Sequence, residues 1–260
     1  MKLSVFERPL VMAHRGFQSQ YPENTMAAFS AAVKAGAQYI EMDVSFTRDS
    51  QVVVIHDDTV DRTTNGIGPV HGYLLKELKQ LDAGSWFHPQ FAQERIPTLG
   101  EVLDHFAGKI CLNIEIKAYD QVPEAGPDHL ENAVVDLVRR KKKQACVLIS
   151  SFDSKVLHNV KTLDHATRVA LISKYFVPGE TLDQCLQLTA FSYHPNLSFL
   201  KRDQVVTMHR EGFQVFPYNI NNAEDIYHAF GLEVDGLISK DPHLVQSCYT
   251  NLLASKKTDQ

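Results

Sequence analysis

AQYIEMDVSF, residues 37–46, is the stretch on which the reading of this chain turns. It reads as a strand and carries two carboxylates one residue apart, Glu41 and Asp43. Side chains at i and i+2 of a strand point to one face, so both acids can meet a single cation. A second such pair, Glu115 and Lys117, lies in CLNIEIKAYD (111–120), an acid and a base on one face. Upstream, VMAHRGF (11–17) is an apolar run that ends in His14, Arg15 and Gly16. Between the two pairs, VVVIHDD (52–58) ends another apolar run in His56. A carboxylate cluster, two histidines and two fixed cations suit metal-assisted attack at a phosphate.

Working outward, apolar runs of strand length recur at LVMAHR (10–15), QYIEMDV (38–44), ICLNIEIK (110–117), ACVLISSF (145–152), TRVALIS (167–173), LTAFSYH (188–194), FQVFPYNI (213–220) and DGLISKD (235–241). Amphipathic helical patterns lie between most of them. PENTMAAFSAAVKAG (22–36) opens with Pro22 and an Asn24 or Thr25 cap, and Gly36 fits its C-terminal stop. DHLENAVVDLVRRKKKQ (128–144) has apolar residues at helical spacing and a basic last turn that suits the helix dipole. LKRDQVVTMHREG (200–212) and AEDIYHAFGLE (223–233) repeat the theme. Eight strands with intervening helices predict an α/β fold, a TIM (β/α)8 barrel.

One gap breaks the rhythm. From about Thr47 to Lys109 the sequence shows no simple crossover helix, only the VVVIHDD strand, a Gly-rich RTTNGIGPVHGY (62–73), a short LLKELKQL (74–81) and a long GSWFHPQFAQERIPTLGEVLDHF (84–106). We expect a single domain over 1–260 with an inserted subdomain at about 57–100, after the second barrel strand and packed on the catalytic mouth. Trp86, the only tryptophan, is expected in the core of that insertion, and the tail LLASKKTDQ (252–260) is expected to fray.

Composition narrows the classes. The chain has 260 residues, 44% hydrophobic and 22% charged, which suits one large globular domain. A net charge of -5 gives no electrostatic case for nucleic acid or an anionic membrane, so an anionic ligand must be drawn by a local positive site or a metal. The RRKKK run at 139–143 reads as a solvated helix end. Four cysteines with no C-x-x-C spacing read as reduced thiols. The N-terminal stretch lacks an apolar signal region, and no apolar run approaches the roughly 20 residues of a membrane span. A cytoplasmic protein without stable membrane association is the expectation.

In such a barrel the active site forms at the carboxyl ends of the strands. His14 and Arg15 end the first expected strand, Glu41 and Asp43 the second, Glu115 and Lys117 the third. A buried acid is costly unless paired or metal-bound, so this gathering points to a site and not to chance. Taken alone His14 reads as a core histidine; beside Arg15 and a Gly16 that frees the backbone it reads as an acid/base. His56 is followed by Asp57 and Asp58, which can orient it or raise its pKa.

The stretch from Ala13 to Gly68 resembles the opening of the glycerophosphodiester phosphodiesterase family: H-R-G, then P-E-N-T, E-x-D-V, a T-x-D leading to V-x-x-H-D, and R-T-T-x-G-x-G. The similarity continues through IPTLGEVLDHF, LNIEIK, SSFD and DGLISKDP, so it covers roughly residues 11 to 243. It implies a TIM barrel with a small insertion after the second strand. It implies that Glu41, Asp43 and Glu115 hold one divalent metal ion, Mg²⁺ or Ca²⁺, that His14 and His56 are the acid/base pair, and that Arg15 and Lys117 grip the phosphate. Asn24 is read as a helix cap and not a ligand.

The implied reaction releases sn-glycerol 3-phosphate and an alcohol from a small-molecule glycerophosphodiester, with the neighbouring glycerol hydroxyl as internal nucleophile and a cyclic phosphate between two histidine-assisted steps. One departure stands out. Where the family has a motif like V-x-x-W-T-V-N, this chain has VFPYNIN (215–221), with Tyr218 at the tryptophan position, able to pack on the glycerol. Two other readings stand beside this one. A lysophospholipase D would need an acyl groove, and a non-catalytic glycerophosphodiester-binding barrel would have lost catalytic groups that are all present here.

Overall fold

A computed structural model describes residues 9–117 and 130–258. The eight expected strands form, as β1 (Leu10–Ala13), β2 (Tyr39–Phe46), β4 (Cys111–Glu115), β5 (Val147–Ser151), β6 (Arg168–Ser173), β7 (Ser192–Pro195), β8 (Gln214–Val215) and β9 (Gly236–Ser239). They run parallel in the order β8-β7-β6-β5-β4-β2-β1-β9. The seam between β8 and β9 carries no continuous ladder. It is spanned by Asp235 N–H to the Val215 carbonyl (3.1 Å) and Ile238 N–H to the Pro217 carbonyl (3.0 Å), which leaves a nearly closed barrel.

Alternation along each strand makes two cores. Leu10, Met12, Tyr39, Leu148, Ala170, Phe216 and Ile238 fill the lumen. Val11, Ile40, Met42, Leu112, Ile149 and Val169 face the other way and pack under the helices. Both faces of the strands are therefore dry, which is why β1 is four consecutive apolar residues and not an alternating pattern.

Helices α1 (Met26–Lys34), α4 (Leu130–Arg140), α5 (Ser154–Leu163), α6 (Glu180–Gln187), α7 (Arg202–Arg210), α8 (Ala223–Gly231) and α9 (Pro242–Thr258) cover that outer layer. The start of the helical pattern expected at 128–144 lies outside the described residues. The tail expected to fray instead continues α9 as far as Thr258. At α1 the cap is Thr25, whose hydroxyl accepts the Ala28 N–H at 3.2 Å. Asn24, read from sequence as a cap, is not one; it sits at φ 56 with its side chain turned into the barrel mouth.

Between β2 and β4 the chain leaves the barrel. β2 runs three residues beyond its barrel partners and pairs antiparallel with β3 (Val52–Val54), in the register Val44↔Val54, Ser45↔Val53, Phe46↔Val52. Val53, Ile55, Val60, Val70, Leu78, Ala83 and Ile96 close a small separate core, which includes the last residue of the short helix α2 (Leu75–Leu78). Trp86 is outside that core, 39% exposed, with its indole N–H on the Ala83 carbonyl. The crossover helix that the sequence hid is α3 (Leu99–Phe106). Thr98 and Glu101 form a reciprocal capping box at its start, and Leu99, Val102, Leu103 and Phe106 pack in the main core.

The turn after β1 places the site. Arg15 (φ 51) and Gly16 (φ 81) are both left-handed, and a Cβ on Gly16 would lie 2.8 Å from the Ala28 carbonyl carbon and Cβ. Phe17 N–H bonds the Ala28 carbonyl at 3.1 Å, so turn and helix are in direct contact. Gly16→Ala should therefore destabilise the fold by about 1–3 kcal/mol in urea unfolding. A change under about 0.5 kcal/mol, the size of an ordinary surface substitution, would show that α1 can yield there.

Candidate active site

The parallel register of β2 and β4 sets Asp43 beside Glu115 and Glu41 beside Asn113. One carboxylate oxygen from each of Glu41, Asp43 and Glu115 can be chosen so that the three lie within 4.8 Å of one another. Glu41 is 2% and Asp43 1% exposed. Burial, then Asp43 and Glu115, push Glu41 well above the usual carboxylate range, and burial with Asp43 raises Glu115 to about 8.

The left-handed turn at Arg15 aims its backbone N–H at Glu41 Oε2 (2.8 Å), while Glu41 Oε1 has no partner among the described residues. Asp43 Oδ2 accepts from Asn24 Nδ2 at 3.0 Å and lies 3.3 Å from Arg15 Nε. Three crowded carboxylates, all oxygen donors and one of them orphaned, fit a hard divalent cation, which would relieve both the repulsion and the unmet acceptor.

The two histidines arrive by different routes. His14 follows β1; its Nδ1 and its carbonyl both contact Gln18 Nε2, and its Nε2 lies 3.8 Å from Glu41 Oε2. Burial, then Arg15, lower its pKa to about 4, so the ring is neutral at pH 7. His56 follows β3, brought over the barrel because Ile55 N–H bonds the Asp43 carbonyl at 3.0 Å. Its Nδ1 meets Asp57 Oδ1 at 2.6 Å.

Asp57 orients His56, as the sequence allowed, and is itself held well below its ordinary pKa chiefly by Arg62. Arg62 donates twice to Asp57 (2.6 and 2.9 Å) and twice to Glu23 (2.9 and 2.8 Å). Glu23 in turn accepts from Arg15 Nη1 at 2.9 Å. One guanidinium thus links the carboxylate that holds His56 to the carboxylate that holds Arg15.

His14, Arg15, Glu41, Asp43, His56, Glu115 and Tyr218 line one cavity of about 200 Å³. Tyr218 stands against Phe152 (ring centroids 6.0 Å), with its hydroxyl 3.3 Å from the Ser173 carbonyl. Lys117 is not on the cavity wall: its Nζ bonds the His56 carbonyl and lies 3.8 Å from Asp58.

Sequence reasoning missed Asn24 as a partner of Asp43 and gave no role to Glu23, Arg62, Asn113 or His194. Glu23 and Arg62 stood inside quoted motifs, P-E-N-T and R-T-T-x-G, but only the fold shows that the two meet. Among the described residues no helix is long and apolar enough to cross a membrane.

A parallel barrel with a charged constellation at the carboxyl ends of its strands defines the class: a TIM-barrel enzyme with an acidic, histidine-flanked mouth. Residues 14–244 match the model of the glycerophosphoryl diester phosphodiesterase family. The glycerophosphodiester phosphodiesterase of Caldanaerobacter subterraneus subsp. tengcongensis is 39% identical over 90% of this chain and 95% of its own length. That of Bacillus subtilis is 31% identical over 92% of this chain and 85% of its own. Among solved structures, an Oleispira antarctica phosphodiesterase in complex with its product sn-glycerol-3-phosphate superposes with a TM-score of 0.85 at 31% identity, covering 93% of this chain and 97% of that one. The chain belongs to the glycerophosphoryl diester phosphodiesterase family.

If the acidic cluster is a cation site, ion binding stabilises the fold by mass action. Mg²⁺ or Ca²⁺ added to chelator-treated protein should raise Tm by roughly 5 °C at a hundredfold excess over Kd. Glu41→Gln should abolish the response. An unchanged Tm with both ions in the unmutated protein would remove the cation from this site.

Proposed function

We propose that the protein hydrolyses glycerophosphodiesters, the deacylated phospholipids, to sn-glycerol 3-phosphate and an alcohol. The observation that carries this reading is the meeting of His14, His56, Arg15 and three crowded carboxylates on one small cavity. Glu41, Asp43 and Glu115 would hold Mg²⁺ or Ca²⁺, whose charge neutralises the phosphodiester and makes its phosphorus attackable.

The chain's own groups do the rest. One histidine takes the proton of the glycerol hydroxyl next to the phosphate as that oxygen bonds to phosphorus. The other gives a proton to the departing alcohol oxygen, so the P–O bond breaks without releasing an alkoxide. A cyclic phosphate results. Water then opens the ring with the two roles reversed, which suits a pair held by neutral Gln18 on one side and by Asp57 on the other. An internal nucleophile is already in place, a proximity worth roughly 7–11 kcal/mol of barrier at best. Arg15 offers positive charge from the cavity wall and Lys117 from its place on the His56 carbonyl. Tyr218 gives the glycerol carbons a flat surface. The described cysteines are free, which suits the reducing cytoplasm.

Turnover of glycerophosphocholine, -ethanolamine, -glycerol and -inositol should proceed at similar rates and stop with chelator. His14→Ala and His56→Ala should each lower kcat by about two to four orders of magnitude with little change in KM. A 2-deoxyglycerol analogue should bind and hardly react. Near-normal kcat in His56→Ala would reduce that residue to a surface histidine, and normal turnover of the deoxy analogue would replace the cyclic route with direct attack by water.

One observation favours a second reading. Phe152, Tyr175 and Phe199, each roughly half exposed, follow β5, β6 and β7 on the same face, and the Tyr175 and Phe199 rings meet tilted, with centroids 4.7 Å apart. An apolar rim of this kind can receive an acyl chain, as a lysophospholipase D requires. Lysophosphatidylcholine cleaved with a higher kcat/KM than glycerophosphocholine would establish that reading over the first.

A further inference from the structure

Two polar atoms deep in the cavity have no partner among the described residues. Asn113 lies two residues before Glu115 on β4, on the same strand face and one layer deeper into the lumen. It is 1% exposed, its amide N–H donates to Ser150 Oγ at 2.9 Å, and its Oδ1 is unbonded. His194 on β7 is fully buried, with Nε2 on Ser192 Oγ at 2.9 Å and Nδ1 unbonded. Both side chains line the cavity that holds the acid/base histidines and the carboxylates. Phe216 packs edge-on against the His194 ring at 5.6 Å, and Ile172 and Ile238 complete the apolar wall beside it.

Polar groups this deep in a lumen otherwise filled by Met12, Leu148 and Phe216 need a reason, because an unmade buried hydrogen bond is a standing cost. The His194 imidazole is neutral, pushed down to about 3 by burial, so it has one donor and one acceptor nitrogen. In the tautomer in which the Ser192 hydroxyl donates into Nε2, the proton is carried on Nδ1. Asn113 Oδ1, on the same cavity, is an acceptor in any tautomer. One donor and one acceptor are the complement of an alcohol.

We propose that Asn113 and His194 form a subsite for the free primary hydroxyl of the substrate's glycerol, and so set the preference for glycerol over a plain alkyl ester. This rests on the glycerophosphodiester reading above. The secondary hydroxyl, next to the phosphate, must stay with a histidine to react; the primary one is a carbon further from phosphorus. With the phosphate at the strand ends beside Glu115, the primary hydroxyl points down toward the layer of Asn113. The dry wall makes the analogue lacking this oxygen a poor fit, since it leaves both polar groups unpaired.

Calorimetry with sn-glycerol 3-phosphate and with 2-hydroxypropyl phosphate, which lacks only the primary hydroxyl, tests this in the presence of Ca²⁺. The unmutated protein should prefer the glycerol compound by about 10- to 100-fold. Asn113→Leu and His194→Phe should each bring that ratio to within a few-fold of one, mainly by weakening the glycerol compound. A ratio near one in the unmutated protein overturns the subsite whether or not either variant folds, and a ratio unchanged in both variants overturns it as well. Glycerophosphocholine turnover separates the two layers of the argument. Turnover with no preference overturns the subsite alone, whereas no turnover and no binding of sn-glycerol 3-phosphate overturns the function with it.

Discussion

Mutual repulsion among three carboxylates at a dry barrel mouth is the constraint around which this structure is arranged. Two unit charges 4 Å apart at an effective dielectric near 20 repel by about 4 kcal/mol, so three acids at one spot do not all stay ionised unaided, and Glu41 and Glu115 hold their protons above the usual carboxylate range. The neighbouring chain answers that field. The left-handed step at Arg15 turns a backbone N–H onto Glu41, the left-handed Asn24 turns its amide onto Asp43, and the Arg15 guanidinium lies against Asp43 and Glu23. Two unusual backbone conformations are stacked within ten residues to supply these donors, and Gly16 lets α1 close over them. What remains unmet, Glu41 Oε1 above all, defines a place that takes either a proton or a cation.

A second arrangement transmits order outward from this centre. Arg62 is 44% exposed at its side chain, so its ion pairs add little to stability. Their effect is geometric. The fork fixes Asp57 and Glu23 relative to each other, and with them the His56 ring and the Arg15 guanidinium, which come from elements far apart in sequence. The two histidines thereby share a frame although one follows a barrel strand and the other an excursion from the barrel.

The barrel was legible because its strands are buried on both faces and read as short apolar runs, and because the acids break those runs at i and i+2. The same logic found His14, Glu41, Asp43, His56 and Glu115, which the fold brings to one cavity. Lys117 was found by the same spacing yet stands off the wall, since the carbonyl of His56 captures its ammonium. Asn24 was misread because Asn and Thr are both good caps, and only the left-handed turn decides which of the two faces the helix. Helix α3 was overlooked because it is short and ends a long irregular stretch, although Leu99, Val102, Leu103 and Phe106 recur at helical spacing behind its capping box. Asn113 and His194 carried no local signal at all: their importance lies in what they fail to touch.

β2 is the longest strand of the described residues, at eight residues, and it serves two sheets in turn. Its first five residues pair with β4, the first two of them with β1 as well, and its last three hold β3. His56 is thus indexed to Asp43 by main-chain pairing, through Ile55, whose side chain the small core of the excursion holds in place. Because strand side chains alternate with period two, any slip must be by whole pairs, so this coupling behaves as a ratchet with coarse teeth. Only the parts of the excursion outside its small core, such as the exposed tip at Ile67, can therefore change length without disturbing this index, provided that Arg62 keeps its two carboxylates. New rim chemistry can be grafted there while His14, His56 and the three carboxylates keep their places.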